Sequence, residues 1–251
     1  MKAAIGALIV AASVFSVPLP AVAAGSFDDN QKAEIGTVVR DYLLKHPEIL
    51  RDMSSALQLA EQEQQGKAAK QSIKDNAQSL FHSSTDLVLG NPNGKVTMVE
   101  FFDYNCAYCK RALPDVVALI AGDKDVKVVM KEFPILGESS MFASRVAMAA
   151  QKQGKYRELH EALISAPGHL DDARIMSIAK GLALDLDQLT KDSNSPEIAA
   201  IIRTNNEMAV KLGINGTPAF IIGQNLTPGA VGLDELKNQI ASVRADGCAV
   251  C

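Results

Sequence analysis

Two cysteines separated by two residues stand where an apolar run gives way to a helical pattern. Cys106 and Cys109 lie in "EFFDYNCAYCKRALPDVV", residues 100–117. The run before them is rich in β-formers, so Cys106 is expected at the N-terminus of the helix that follows. Unpaired N–H groups and the helix dipole favour a thiolate at that position, and Cys109 lies about one turn further on. The spacing therefore predicts that Cys106 attacks a disulfide and that Cys109 resolves the mixed disulfide.

A second C-x-x-C pair, Cys248 and Cys251, ends the chain and forms the tail 246–251. Two such pairs are able to build a Cys₄ zinc site, but these lie much further apart than the pairs of a zinc ribbon. A structural disulfide is the other alternative for the first pair. We predict no metal site and no cofactor. The tail pair has three open interpretations: an incidental local disulfide, a relay of electrons to Cys106, or a Cu(I) site, since thiolates are soft ligands.

The N-terminus has the features of a secretory signal peptide. Lys2 precedes an apolar run from Ala3 to Val17, and prolines and small residues follow in "PLPAVAA". We predict a signal peptide over 1–24, no membrane span once it is removed, and a periplasmic location, where disulfides persist. The net charge of −4 and the lack of a long basic run argue against a nucleic-acid partner.

Residues 25–84 are polar with apolar side chains at helical spacing, interrupted by "HPE" at 46–48. This apolar stripe is too thin to form a core alone, so it must pack on its own domain or on copies of itself. If it joins copies, deletion of 26–85 is expected to leave a folded monomer. The stripe consists of Ile35, Val38, Val39, Tyr42, Leu43, Ile49, Leu50, Met53 and Leu57.

The remaining chain alternates strand and helix patterns, as in an α/β protein. Strands are predicted at 95–104 and 125–136, with a helix containing Pro114 between them, which makes a βαβ unit. Residues 139–212 are helical in pattern. A strand at 217–223, a turn at 226–232 and a last helix complete the prediction.

Three features together resemble the thioredoxin superfamily, and specifically its DsbA-like branch: Glu100 to Cys109, Pro114 and "NGTPAFIIG". The resemblance implies a thioredoxin-like fold over 85–245 with a long helical insertion. It also implies a cis Pro218 that faces Cys106 and follows Thr217. Glu100 would be a buried acid that shuttles the proton of Cys109. The alternatives are an ordinary proline at a strand start and an edge-facing glutamate in water.

The residues between the cysteines, Ala107 and Tyr108, bear on redox poise and on client binding. DsbA-like oxidases have a histidine beside the second cysteine, whereas Tyr108 together with Thr217 is more similar to disulfide isomerases. "VVRDYLLKHPEIL" resembles the N-terminal region of ScsC-like proteins, which implies a homo-oligomer, with a trimer favoured over a dimer.

The combined prediction is a periplasmic, oligomeric disulfide isomerase or reductase. Its implied partners are misfolded or reduced secreted proteins and a membrane thiol reductase of the DsbD or ScsB kind. The alternatives are a monomeric DsbA-like dithiol oxidase and a copper-binding, copper-tolerance thiol protein.

Overall fold

The computed structural model describes residues 27–247, and these belong to two compact units that divide between Gln58 and Leu59. The predicted signal peptide at 1–24 and the tail cysteines Cys248 and Cys251 lie outside the described residues. Within the described range, no helix is both long enough and apolar enough to cross a membrane.

The first unit contains helix α1 (Asp29–Lys45) and the start of helix α2 (Glu48–Asp75). Asp28 and Gln31 form a capping box, each side chain accepting from the other residue's backbone N–H. The helices are separated at Pro47, as predicted. Helix α1 buries none of its side chains. The exposed apolar residues of this unit include Ile35, Val38, Val39, Tyr42, Leu43, Leu50, Met53 and Leu57.

The second unit takes its first core residues from the end of α2 and from the short helix α3 (Ala77–Phe81). Ile73, Leu80 and Phe81 are fully buried in one cluster with residues of the sheet. Deletion of 26–85 would remove these buried residues, so the structure argues against the expectation that this deletion leaves a folded monomer.

A five-stranded mixed sheet has the order β1-β3-β2-β4-β5. Strands β2 and β3 are parallel and the other pairs are antiparallel. Helix α4 (Ala107–Gly122), with Pro114 inside it, connects the parallel pair. The strands are β1 (Leu87–Gly90), β2 (Val96–Phe102), β3 (Val126–Glu132), β4 (Ala219–Ile222) and β5 (Asn225–Pro228).

Two strands differ from the sequence prediction. Strand β1 was not predicted, and its four residues are too few to give a clear periodic pattern. Residues 226–228, predicted as a turn, belong to β5. The turn comes earlier, at Gly223, which has a φ of +61° and allows Leu226 to pair with Ile221. Strands β4 and β5 thus form a tight hairpin whose turn lies before the predicted "LTPG".

The predicted helical segment 139–212 contains five helices that contribute to another hydrophobic cluster, which includes Met98, Phe102 and Phe220 of the sheet. Ser195 caps the last of them and accepts from the Ile198 N–H at 3.3 Å, with Pro196 in the first turn. The predicted α/β class and helical insertion are thus confirmed. The helices are α5 (Glu138–Ala149), α6 (Tyr156–Ser165), α7 (Asp172–Gly181), α8 (Leu186–Ser193) and α9 (Pro196–Lys211), with a 3₁₀ turn at Ala150–Gln153 and a final helix α10 (Leu233–Asp246).

Candidate active site

Cys106 is the N-cap of α4, at the end of the turn that follows the central strand β2. Its sulfur accepts from the Cys109 backbone N–H at 3.4 Å. In its protonated form, the thiol donates to the Thr217 carbonyl oxygen at 3.1 Å. The side chain is buried to 5% exposure, and the two cysteines are not joined by a disulfide in the structure.

The two thiols of this pair have opposite acidities. Hydrogen bonding from the Cys109 thiol, then from the Thr217 side chain and from backbone N–H groups, lowers the pKa of Cys106 from 9.0 to about 5, although burial opposes this shift. Burial raises the pKa of Cys109 far above its usual range, and the hydrogen bond to Cys106 and the charge of Glu100 raise it further. One thiol is therefore ionised at neutral pH while the other holds its proton.

Glu100 lies on β2 between β3 and β4, opposite Met130 and Phe220. It is buried to 4% exposure, which excludes the interpretation as a solvated edge residue. Burial first, and the charge of Cys106 second, raise the pKa of this carboxyl to about 8. At neutral pH this carboxyl holds its proton, and its charged form would raise the pKa of Cys109.

The Thr217–Pro218 peptide bond is cis and comes directly before β4. The Pro218 carbonyl oxygen accepts from the Gly229 N–H at 2.8 Å, so the loop is tied to the end of β5. A cavity of about 440 Å³ beside this loop is called the cis-proline groove here. Its lining includes Tyr108, Ile214, Thr217, Pro218, Leu226 and Gly229.

Ala107 and Tyr108 form the first exposed turn of α4. Tyr108 is 57% exposed at the groove, and the Arg111 guanidinium lies 4.1 Å above its ring. The structure thus brings together all seven residues selected from the sequence around one sulfur atom and one groove. Their roles in exchange remain predictions.

Asp103, which sequence reasoning did not select, holds the active-site turn in place. Its carboxylate is fully buried and accepts from the Asn105 N–H at 2.7 Å and from the Ser140 hydroxyl at 2.8 Å. It also accepts from the backbone N–H groups of Ile135 and Leu136 at 2.9 and 3.0 Å. The only signal in the sequence was a carboxylate directly after an apolar strand.

Two further side chains join the active-site turn to the helical insertion. The Asn105 amide oxygen accepts from the Leu170 N–H at 2.7 Å, and its amide nitrogen donates to the Leu170 carbonyl at 3.2 Å. The Lys110 ammonium donates to the Gly168 carbonyl at 2.9 Å and to the Ala166 carbonyl. The turn that carries Cys106 is therefore fixed from both sides.

A second buried acid, Glu132, ends β3 beneath this turn. Burial raises its pKa to about 7, against hydrogen bonds from the hydroxyls of Ser144, Tyr156 and Tyr104 at 2.7, 2.8 and 2.9 Å. His160 lies 3.1 Å from the Tyr104 hydroxyl, and burial lowers its pKa to about 3. His160 is thus a neutral, buried packing residue.

Among residues 27–247, no group of three or more histidine, cysteine or acidic side chains is arranged to hold a metal ion. The tail pair Cys248 and Cys251 lies outside that range, so the prediction of no metal site stays a prediction.

Comparison with known families identifies both parts of the chain. Residues 97–241 match the family described as DSBA-like thioredoxin domain, and residues 31–64 match the Copper resistance protein ScsC N-terminal domain. The first match covers more than half of the chain.

Solved structures show the same relationship. A thioredoxin-like oxidoreductase from Silicibacter pomeroyi DSS-3 is 45% identical, with a TM-score of 0.66, and covers 67% of this chain and 97% of its own. A linker-deletion mutant of Proteus mirabilis ScsC is 29% identical, with a TM-score of 0.68, and covers 89% of this chain and 100% of its own. A periplasmic thioredoxin-like protein from Salmonella enterica serovar Typhimurium is 31% identical, with a TM-score of 0.59, over 69% and 97%.

Curated relatives include much longer proteins. The Na(+)/H(+) antiporter NhaA 1 of Salinispora arenicola is 28% identical over 162 residues, and the match covers 64% of this chain but only 25% of the antiporter. The shared part is thus about a quarter of that protein. The two family matches agree with the cysteine pair beside a cis proline. This chain therefore belongs to the DsbA-like thioredoxin family of thiol–disulfide oxidoreductases, in its ScsC-like branch.

Proposed function

We propose that this protein exchanges disulfides in secreted proteins, with Cys106 as the attacking group. The observation that carries the proposal is the opposite shift of the two thiols, with the pKa of Cys106 lowered to about 5 and that of Cys109 raised. Only a thiolate attacks a disulfide, and a thiolate with a pKa below the ambient pH is also a good leaving group.

In the first step the Cys106 thiolate attacks one sulfur of a client disulfide. A bond forms between Cys106 and that sulfur, the client S–S bond breaks, and the other client sulfur leaves as a thiolate. Cys109 stays protonated during this step because burial disfavours its ionised form. The mixed disulfide therefore persists long enough for a second exchange.

Two outcomes follow from the mixed disulfide. If another client thiolate attacks the client sulfur bound to Cys106, a different client disulfide forms and the Cys106 thiolate returns, with no net oxidation. If Cys109 attacks Cys106 instead, the client leaves reduced and the two cysteines form a disulfide, which an external dithiol must reduce again. The first outcome is isomerisation and the second is reduction.

Trapping of clients distinguishes the two cysteines. In the full-length protein, Cys109→Ser is expected to accumulate mixed disulfides with clients, because nothing resolves them, whereas Cys106→Ser is expected to accumulate none. Non-reducing electrophoresis followed by mass mapping of the joined peptides makes the measurement, with both tail cysteines replaced by serine to remove competing thiols. Equal trapping by the two variants would sink the assignment of Cys106 as the nucleophile.

We propose that Glu100 accepts the Cys109 proton in the resolving step. Its pKa of about 8 makes the carboxylate the minor form at neutral pH, so the rate of resolution should rise with pH up to about 8 and then level off. In Glu100→Gln that step should be about 10²–10⁴-fold slower and should lose this inflection. Stopped-flow decay of a preformed mixed disulfide measures it. An unchanged pH profile in the variant would exclude Glu100 as the base.

Isomerisation is favoured over oxidation for two reasons. Tyr108 stands where DsbA-like oxidases carry a histidine, and the match at residues 31–64 adds a helical region of the ScsC type. We propose that residues 25–84 include the assembly region, with its contact surface on the exposed apolar residues of the first unit. Assembly as a trimer would place several cis-proline grooves around one client.

The proposed cellular setting follows from the same features. We propose that residues 1–24 are a signal peptide and that the mature protein works in the periplasm. The similar thioredoxin-like protein from Salmonella is described as periplasmic. Misfolded secreted proteins are then its clients, and a membrane thiol reductase of the DsbD or ScsB kind keeps Cys106 and Cys109 reduced. The Cu(I) alternative concerns Cys248 and Cys251, which lie outside the described residues.

A further inference from the structure

A second and larger cavity adjoins the cis-proline groove within the second unit. Its volume is about 820 Å³, against about 440 Å³ for the groove. We call it the α2 groove, because one wall is the part of α2 from Gln62 to Lys70. The opposite wall is the end of α9 with the β4–β5 hairpin. Four residues line both cavities, namely Gly213, Asn215, Leu226 and Pro228.

We propose that the α2 groove holds the stretch of extended client polypeptide that continues from the cysteine bound at Cys106. This inference rests on the proposed function and adds to it a longer binding surface. The cis-proline groove is lined by Thr217, whose carbonyl oxygen lies 3.1 Å from the Cys106 sulfur, so a client segment bound at Cys106 lies beside this groove. The shared lining residues make the α2 groove its continuation.

The end of α2 that follows the groove is anchored to the end of α9. The Ser72 hydroxyl donates to the Lys211 carbonyl at 3.1 Å, and Ile73 is fully buried beside Met208 and Leu212. The segment before Ser72 lines the cavity with small residues, namely Gly66, Ala68 and Ala69. A Cβ added at Gly66 meets no atom within 4 Å, so the space next to this helix is open.

The lining suits an unfolded chain of variable sequence better than a specific ligand. None of the lining residues is acidic, and five carry amides that both donate and accept hydrogen bonds. Val210, which is 76% exposed, supplies an apolar contact. The five residues with amide side chains are Gln62, Gln65, Asn215, Gln224 and Asn225.

Strand β5 adds a backbone edge to this surface. It is the last strand of the sheet, paired with β4 on one side only, and Asn225, Leu226 and Pro228 line the α2 groove. An edge strand presents backbone groups that an extended peptide is able to pair with, whatever its side chains. Sequence-tolerant backbone contacts are what an enzyme for many misfolded clients needs.

The test compares substrates of two lengths in the full-length protein with both tail cysteines replaced by serine. The long substrate is an unstructured peptide with one cysteine, activated as a mixed disulfide with thionitrobenzoate. The short substrate is glutathione activated in the same way, which reaches only the cis-proline groove. The second-order rate constant of thionitrobenzoate release is measured for each.

Filling the groove should slow only the long substrate. In Gly66→Trp we expect the rate constant for the long peptide to fall about tenfold, which corresponds to about 1.4 kcal/mol, with no change for glutathione. Gly122→Trp is the matched control, because a Cβ added at Gly122 also meets no atom within 4 Å and Gly122 lies outside both grooves. This control should behave as the wild type with both substrates.

A milder variant guards against misfolding. Val210→Ser removes an exposed apolar side chain and should slow the long peptide about threefold. Equal rates for the long peptide in wild type, Gly66→Trp and Val210→Ser would overturn the inference. A change of oligomeric state in Gly66→Trp would also overturn it, because it would show that another copy of the protein occupies the groove. A wild-type protein that reacts with neither substrate would instead contradict the proposed function.

Discussion

Removing residues up to 85 is expected to unfold the protein, whereas removing residues up to 58 is expected to leave a folded second unit with its redox pair. The longer deletion takes away Ile73, Leu80 and Phe81, all fully buried. Truncating a buried side chain of this size costs about 2–5 kcal/mol, so three together approach the whole stability of a domain, about 5–15 kcal/mol. It also removes the Ser79 carbonyl and the Phe81 carbonyl, to which the part-buried ammonium groups of Lys131 and Lys127 donate.

Circular dichroism and thermal melting of both truncated proteins make the measurement. The protein that begins at Leu59 should melt cooperatively, and the protein that begins at Asp86 should show no cooperative transition. A cooperative transition at a similar temperature in both would show that α3 and the end of α2 are dispensable for the fold.

The same shorter deletion tests the assembly proposal. Light scattering should report an oligomer for the mature full-length protein and a monomer for the protein that begins at Leu59, because the exposed apolar residues of the first unit are gone. Refolding of scrambled ribonuclease should be lost and oxidation of reduced ribonuclease gained. A monomeric full-length protein would favour the alternative of a monomeric dithiol oxidase.

Glu100→Gln is expected to stabilise the reduced protein strongly at alkaline pH and not at acid pH. The folded state raises the pKa of Glu100 from 4.5 to about 8, so it binds the proton more tightly than the unfolded chain does. The stability that this group contributes is thus fully present below pH 4.5 and is lost as the pH rises through 8. A shift of this size corresponds to about 3–5 kcal/mol, and glutamine keeps the neutral form at every pH.

Urea unfolding of wild type and variant across the pH range measures the difference. The two stabilities should coincide near pH 4 and separate progressively up to pH 9. Glu207→Gln, which removes an exposed acid on α9, is the control for the loss of one carboxylate. A constant difference between wild type and Glu100→Gln at all pH values would mean that the Glu100 carboxyl is not held protonated by its surroundings.

The position of the cysteine pair and of Glu100 was predictable because both depend on local patterns. A strand that ends and a helix that begins place Cys106 at a helix N-terminus, whatever the rest of the chain does. The apolar run placed Glu100 on a strand but left a solvated edge position open. Its burial, like the cis proline, was predicted from the resemblance to the DsbA-like branch.

The support of the site was not predictable, because its partners are distant in the sequence. Asp103 contacts the loop around Ile135, and Asn105 contacts Leu170, and no local pattern links these segments. The packing of Ile73 against the sheet was not predicted for the same reason. The end of α2 has the same mostly polar pattern as the exposed part of this helix, and only the folded structure shows that Ile73 packs on the sheet.

Alkylation of the reduced protein shows whether Cys106 is ionised at neutral pH while Cys109 is not. Brief exposure to iodoacetamide across the pH range, with mass mapping to separate Cys106 and Cys109 from the tail cysteines, yields a rate for each thiol. We expect the alkylation rate of Cys106 to rise with pH as for a group with a pKa of about 5, and Cys109 to stay unmodified through neutral pH. A Cys106 rate that rises only toward its ordinary pKa of 9.0, or modification of Cys109 first, would contradict it.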